Sequence, residues 1–179
     1  MKSKTKTILA IMHVLFWIIF IGCCIKTGSI LYSFFVSLFI NPVAAKNLYM
    51  ELNLSDLKAY SITHYSIMLS LVIVLWAMKA YMFYQVIKIF LEINLVHPFS
   101  KSVATLISKI SYIALIIGVL SLALTSYSAT LTNEGVSLNM LTQHINGGAW
   151  FMFFAGIIYI ISLVFKRGIE IQSENELTV

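Results

Sequence analysis

The sequence alternates between long apolar stretches and short polar connections. Four stretches contain no Asp, Glu, Lys or Arg: residues 7–25, 59–78, 110–133 and 148–165. An α-helix needs about 20 apolar residues to cross the hydrocarbon core of a bilayer, which is about 30 Å thick. Each stretch is long enough for one crossing, so the pattern predicts four membrane-spanning helices.

The predicted fold is all-α: a single domain, residues 1–179, that forms an integral membrane four-helix bundle. The predicted spans are residues 7–27, 60–82, 106–128 and 147–166. Residues 30–40 are apolar but cover only about half a span, so we expect them to extend the first helix or to lie in the outer interface. Residues 167–179 are predicted to form a cytoplasmic tail.

The composition supports insertion into a membrane. Only 11% of the residues are charged and 60% are hydrophobic, with a mean hydropathy of +0.92, whereas a soluble domain carries about 25% charged residues. So few polar side chains cannot cover a water-facing surface. We therefore expect the chain to be a multi-pass integral membrane protein, surrounded by the lipid bilayer.

Lys and Arg set the predicted orientation, because short connections that are rich in them stay in the cytoplasm. Basic residues precede the first span, lie in or beside the second connection and follow the fourth span: Lys2, Lys4, Lys6, Lys88, Lys101, Lys109, Lys166 and Arg167. Both termini are therefore predicted to be cytoplasmic. The net charge of +5 follows from this bias. It does not indicate direct nucleic-acid binding, because no basic stripe interleaved with stacking aromatics accompanies it.

The basic start and the apolar run after it also fit a cleaved signal peptide. The run is longer than a usual signal-peptide core, and Lys26, Thr27 and Gly28 stand where a cleavage site of small residues is expected. We therefore expect the first span to be retained.

The second connection is predicted to be a cytoplasmic helical hairpin, formed by extensions of the second and third helices. After the second span, Gln85, Lys88 and Glu92 fall on one helical face. Before the third span, apolar positions follow helical spacing: Val103, Leu106, Ile107 and Ile110. Pro98 forces a turn between the two helices, and Ser100 is suited to cap the second.

Two interpretations of the hairpin remain open. In one, it is a simple helix turn whose Phe99 packs back on the bundle. In the other, it is a docking surface for a soluble partner, since amphipathic helices outside the lipid offer an apolar groove with a charged rim. The candidate partner-binding residues of the hairpin and the tail are Lys88, Glu92, Pro98, Phe99, Ser100, Lys101, Glu170, Glu174 and Glu176.

The tail is acidic, and membrane insertion does not require this, since Asp and Glu contribute little to topology. Glu170 and Glu174 share a helical face at i and i+4. The tail is either a solvated end that stays off anionic lipid or a mobile acidic peptide that contacts a basic DNA-binding protein.

Two landmarks together resemble a known family. The run His97-Pro98-Phe99-Ser100 and the ending FKRGIEIQSENELTV are similar to those of the YoaS-like proteins, a bacterial family of small four-helix membrane proteins catalogued as a domain of unknown function. Members commonly have Asn where this chain has His97, which argues against a chemical role for that residue. The family's genes often lie beside a gene for a small helix-turn-helix transcription regulator. The resemblance therefore implies a membrane component of a regulatory pair, and it implies no catalytic residue.

Three ionisable residues lie within or beside the predicted spans and form a candidate polar site in the membrane: His13, Lys26 and Lys79. Both lysines are expected to snorkel to an interface. His13 is expected to be a neutral histidine bonded to a neighbouring helix rather than a proton relay. Every Asp and Glu lies in a connection or in the tail, whereas an ion-coupled transporter normally has a carboxylate deep in a span.

His64 and His144 are weak candidates for a metal site, because no zinc-type spacing accompanies them. The adjacent Cys23 and Cys24 are expected to be free thiols, since neighbouring cysteines form only a strained bridge. The sequence contains no nucleophile elbow, P-loop or pair of intramembrane carboxylates. We therefore predict no cofactor and no enzymatic activity.

These features lead to three functional hypotheses. The first is a non-enzymatic membrane sensor or tether for a small cytoplasmic helix-turn-helix regulator. The second is a small transporter or efflux component with a path lined by His13, Ser66, Ser70 and Thr125. The third is an intramembrane enzyme, against which the missing catalytic constellation argues.

Small residues on the third span leave the oligomeric state open. Gly118, Ser121 and Thr125 form a flat face that can pack against another helix of the same chain or against a second protomer. A homo-oligomer is compatible with the pattern, and so is a monomer.

Overall fold

The computed structural model describes residues 2–93 and 99–177, and every regular element within them is helical. A 3₁₀ helix, Pro42–Lys46, follows the first of the α-helices. These are α1 Lys2–Phe39, α2 Ser55–Tyr60, α3 Ile62–Glu92, α4 Lys101–Asn133, α5 Leu141–Ile145 and α6 Gly148–Leu177. His97 and Pro98 of the predicted hairpin tip lie outside the described residues.

Within the described residues, four helices are long and apolar enough to cross a membrane: α1, α3, α4 and α6, the last together with α5. With 38 residues, α1 is about 57 Å long at 1.5 Å per residue, which exceeds a hydrocarbon core of about 30 Å. Residues 30–39 continue α1 without a break. At the other end of the chain, α6 continues through Lys166 and Arg167 to Leu177.

The four long helices lie in a row, in chain order. α1 packs against α3, α3 against α4, and α4 against α6. The central pair is the more buried: 39% of the apolar window of α3 and 56% of that of α4 is buried, against 6% for α1 and 17% for α6. The two flanking helices therefore expose apolar faces, as helices in contact with lipid do.

Connections at one end of the row form a packed cap, made of residues 40–61 and 134–147. Four leucines of the first connection are buried: Leu48, Leu52, Leu54 and Leu57. The Lys58 ammonium donates to the Ser37 carbonyl oxygen, and the Ser37 hydroxyl oxygen is 2.6 Å from that of Tyr65. The cap thus ties the end of α1 to α2 and α3.

At the opposite end, α3 and α4 approach each other as a hairpin. Ser100 caps α4, as predicted, by accepting a hydrogen bond from the Val103 amide at 3.2 Å. The predicted apolar stripe of α4 is buried: Val103, Leu106, Ile107 and Ile110. Of the polar residues predicted to share a face of α3, Gln85 is buried, with its side chain only 1% exposed, whereas Glu92 is exposed. The burial of Gln85 follows from the central place of α3, which is packed by α1 and by α4.

Two glycines allow α4 and α6 to approach closely. A Cβ atom at Gly118 would lie 2.9 Å from the carbonyl oxygen of Gly148, and a Cβ atom at Gly148 would lie 2.8 Å from the carbonyl oxygen of Gly118. On the same face of α4, the Ser121 hydroxyl donates to the Ile145 carbonyl oxygen. Gly118 and Ser121, two residues of the predicted small-residue face, therefore pack against other parts of the same chain.

Replacing Gly118 by Ala is expected to lower the free energy of unfolding by about 1–3 kcal/mol, because the added methyl group overpacks the contact with α6. The matched control is Gly22→Ala in α1, where a Cβ atom meets nothing within 4 Å and the better helix propensity of Ala stabilises by about 1 kcal/mol. Thermal unfolding of both variants in detergent, followed by circular dichroism, measures the difference. A Gly118→Ala protein as stable as the Gly22→Ala protein would contradict the close approach.

Candidate functional site

Lysines from two neighbouring helices meet at one tryptophan. The Lys26 Nζ atom lies 3.6 Å from the ring centre of Trp76, and the Lys79 Nζ atom lies 4.3 Å from it. Trp76 and Lys79 are three residues apart on α3 and so share a helical face, whereas Lys26 comes from α1. Such cation–π contacts stabilise by about 0.5–2 kcal/mol each, most where water is excluded.

The Lys79 side chain is buried between helices and is only 7% exposed. Its Nζ atom is 5.3 Å from the ring centre of Phe151 in α6. These contacts place the ammonium group beside aromatic rings of α3 and α6, and the snorkelling of Lys26 and Lys79 to an interface stays a prediction.

His144 of α5 completes what we call the basic cluster: Lys26, Lys79 and His144 around Trp76. The Trp76 indole Nε1–H donates to the His144 carbonyl oxygen at 3.1 Å, which holds α5 against α3. The His144 side chain is 7% exposed, and its Nδ1 atom has no hydrogen-bond partner among the described residues. The ring is also close enough to both lysines to interact with their charges.

Among the described residues, no carboxylate forms an ion pair with Lys26 or Lys79. The acidic residues lie in connections, in α2, at the end of α3 or in the last part of α6: Glu51, Asp56, Glu92, Glu134, Glu170, Glu174 and Glu176. The Nζ atoms of Lys26 and Lys79 are at most about 8 Å apart, the sum of their distances to one ring, and at that range like charges repel where water is scarce. The cluster therefore gathers cations and hydrogen-bond donors without an anionic side chain.

Apolar and aromatic groups surround the basic cluster. Tyr49 of the cap has its ring centre 5.6 Å from the Lys26 Nζ atom, and Cys23, one turn before Lys26, is a buried free thiol. A cleft of about 530 Å³ follows the same stretch of the α1–α3 pair. Its lining includes Phe20, Thr27, Gly28, Ala77, Ala80 and Tyr84. The basic cluster is thus a small polar site surrounded by apolar and aromatic side chains.

Replacing Lys79 by Met is expected to raise the free energy of unfolding by roughly 1 kcal/mol or more, because it removes a buried charge without a carboxylate partner and keeps the side-chain volume. The matched control is Lys109→Met, since Lys109 is exposed and makes its cation–π contact with Tyr81 at 5.0 Å. Melting temperatures in neutral detergent give the comparison. A Lys79→Met protein that is less stable than the Lys109→Met protein would show that the cluster itself stabilises the fold.

Sequence reasoning did not identify Trp76 or Tyr49 as parts of the site. The spacing of Trp76 and Lys79 at i and i+3 was a readable signal for their contact. The approach of Lys26 and Tyr49 had no such signal, because periodicity within one helix does not fix how two helices or a connection are rotated toward each other.

The two histidines of the weak metal prediction lie apart. The His64 Nδ1 atom is within hydrogen-bond distance of the Tyr127 hydroxyl, whereas His144 lies beside Trp76, about 18 Å further along α3. Within the described residues, no group of three His, Cys, Asp or Glu side chains is placed to hold a metal ion. Near His64, the Tyr60 hydroxyl donates to Glu134 at 2.7 Å, and this hydrogen bond to a carboxylate raises the pKa of Tyr60.

His13 lies far from the other residues of the predicted transport path. Its Nε2 atom accepts a hydrogen bond from the Trp17 indole at 3.0 Å, and its ring stacks on Phe90 with 5.9 Å between the ring centres. Ser66 stands 24 residues before Phe90 on α3, which is about 36 Å along the helix. The proposed path residues are therefore not gathered into one cavity.

The hairpin candidates are partly engaged in the chain's own packing. Phe99 is 37% exposed and packs edge-on against Phe165 of α6, with 5.3 Å between the ring centres. Ser102 donates to the Glu92 carboxylate, and the Lys88 Nζ atom lies 5.1 Å from the Tyr84 ring centre. Lys101 is exposed at the start of α4.

The acidic part of the chain is helical and exposed. Glu170 accepts a hydrogen bond from Arg167 at 2.7 Å in a surface ion pair, and Glu174 is exposed one turn later. Two candidate partner-binding residues, Pro98 and the side chain of Glu176, lie outside the described part of the chain.

Comparison with known proteins yields one family. The sequence model described as Protein of unknown function (DUF2975) matches residues 3–179. No curated protein and no solved structure matches the chain.

Proposed function

The chain belongs to the DUF2975 family of proteins of unknown function, and we propose that it is a non-enzymatic membrane sensor or tether for a small cytoplasmic helix-turn-helix regulator. The observation that carries the proposal is the charged extension of α6 beyond the contact of Gly168 with the hairpin. A Cβ atom at Gly168 would lie 2.6 Å from the Phe99 ring, and α6 continues from there to Leu177. An anchor alone does not need this extension.

In this proposal the hairpin and both termini are cytoplasmic, in a bacterial inner membrane. Lys and Arg residues support that orientation, because they collect at the hairpin end of the row and after the apolar part of α6. The cap, residues 40–61 and 134–147, then lies on the outer side. A signal from the envelope would reach the cap or the helices, and the regulator would bind at the other end.

The proposed docking surface is the acidic face of α6. Glu170 and Glu174 are exposed and share this face, and Glu92 and Lys101 are exposed at the hairpin. A helix-turn-helix protein presents a basic surface to DNA, and complementary charges at an interface speed association and set its orientation. A regulator held by its basic surface would be kept from DNA.

The test is crosslinking followed by affinity capture from bacterial membranes that contain the full-length protein. Two variants remove the proposed surface and keep the contact between Phe99 and Gly168: a chain that ends at Ile169, and Glu170→Lys combined with Glu174→Lys. The control, Lys46→Glu, reverses an exposed charge in the cap.

Full-length protein and the Lys46→Glu control are expected to capture a small DNA-binding protein, with at least a fivefold loss in both tail variants. Because surface charges of this kind act mainly on association, the loss should shrink at high ionic strength. Equal recovery with the tail variants would overturn the docking surface. Capture of no DNA-binding protein by any form would overturn the tether.

A further inference from the structure

We propose that the basic cluster binds an anionic group, a carboxylate or a phosphate. The site would exist whether or not the chain holds a regulator, so this proposal is independent of the proposed function. It rests on two ammonium groups from two helices, Lys26 of α1 and Lys79 of α3, which lie against the Trp76 ring. His144 of α5 is held at the same place by its backbone carbonyl oxygen, which accepts from the Trp76 indole N–H, and its buried ring interacts with the charges of both lysines.

Each of the three side chains has hydrogen-bond donors to offer an anion. A lysine ammonium has three N–H donors and no acceptor, and a histidine can carry its proton on Nδ1. The Nδ1 atom of His144 is buried, and it has no partner in the part of the chain that the structure describes. A buried polar atom of this kind is usually satisfied by a partner. A carboxylate or phosphate offers several oxygen atoms and forms strong charge-assisted hydrogen bonds with such donors.

The charges of the site also favour an anion. Two ammonium groups lie against one ring, and no Asp or Glu of the sequence falls in the central part of α1, α3, α4 or α6. Aromatic rings offset such charges only in part, and a buried charge is costly without a partner of opposite sign. An anion between Lys26 and Lys79 would remove their mutual repulsion. A metal cation would add to it, so the same side chains do not form a metal site.

The anion can come from lipid or from water. Lys26 is partly exposed, and the apolar cleft of about 530 Å³ between α1 and α3 runs past the same turns of both helices. A fatty acid would place its carboxylate at the lysines and its chain along apolar surface. Free phosphate would bring the same oxygen chemistry without a chain.

Fluorescence of Trp76 provides the test, because its ring contacts both lysines. Trp17 and Trp150 are exposed, so the combined variant Trp17→Phe and Trp150→Phe leaves Trp76 as the single tryptophan. This full-length protein, in neutral detergent, is titrated with sodium oleate, with methyl oleate as the uncharged match, and separately with potassium phosphate against potassium chloride of equal ionic strength.

We expect a saturable change in Trp76 emission with oleate or with phosphate, and none with methyl oleate. Lys26→Met and Lys79→Met should each raise the apparent Kd at least tenfold, and His144→Gln about threefold, in line with the loss of charged and neutral hydrogen bonds respectively. Lys109→Met, outside the cluster, should leave the Kd unchanged. Melting temperatures are measured for every variant, so that loss of binding is separated from loss of folding.

Each result has a defined meaning. A response to oleate alone identifies a lipid-borne anion, and a response to phosphate identifies a free one; both support the site. No saturable response to either, an equal response to methyl oleate, or unchanged binding by a folded Lys79→Met protein would overturn it. None of these outcomes depends on a regulator, so failure of the anion site and failure of the tether can be told apart.

Discussion

The contact of two lysine ammonium groups with one indole ring is the constraint that the packing of the surrounding helices has to accommodate. Lys26 of α1 and Trp76 of α3 lie at the same height in the row of helices, with the Lys26 Nζ atom 3.6 Å from the ring centre. Trp76 also holds residues 134–147 of the cap in place, because its indole Nε1–H donates a hydrogen bond to the His144 carbonyl oxygen. Phe151 brings α6 to the same place by contact with Lys79. Residues of α1, α3, α5 and α6 therefore meet around Trp76 and Lys79.

The basic cluster is joined to the opposite end of the protein by a short route. His144 lies four residues before Gly148, where α6 begins and packs closely on Gly118 of α4. From there α6 runs without interruption to Gly168 and its contact with Phe99. A change in the position of α5 would thus act on the helix that carries the proposed docking surface. A sensor needs such a link between two sites, and coupling requires that both sites bias the same moving element.

The helices could be predicted from the sequence because a membrane-spanning helix requires an apolar run of about 20 residues. Apolar runs of the right length identified four helices long enough to cross, and local chemistry identified the cap at Ser100 and the buried stripe of α4. The burial of Gln85 could not be predicted, because periodicity within one helix does not show that other helices pack on both of its sides. The basic cluster was missed for a similar reason. A lysine near a predicted boundary suggests snorkelling, and only the packing of α1 on α3 shows that Lys79 turns inward.

The convergence of Lys26 and Lys79 on Trp76 can be tested most directly by solid-state NMR of the protein in lipid bilayers. In a protein that retains Trp76 as its only tryptophan, with ¹⁵N in the lysine side chains and ¹³C in the indole, dipolar transfer occurs only over short distances. The account predicts correlations from the Trp76 ring to two lysine Nζ signals, one lost in Lys26→Met and the other in Lys79→Met. The convergence would be contradicted if both correlations were absent, or if one correlation persisted both in Lys26→Met and in Lys79→Met.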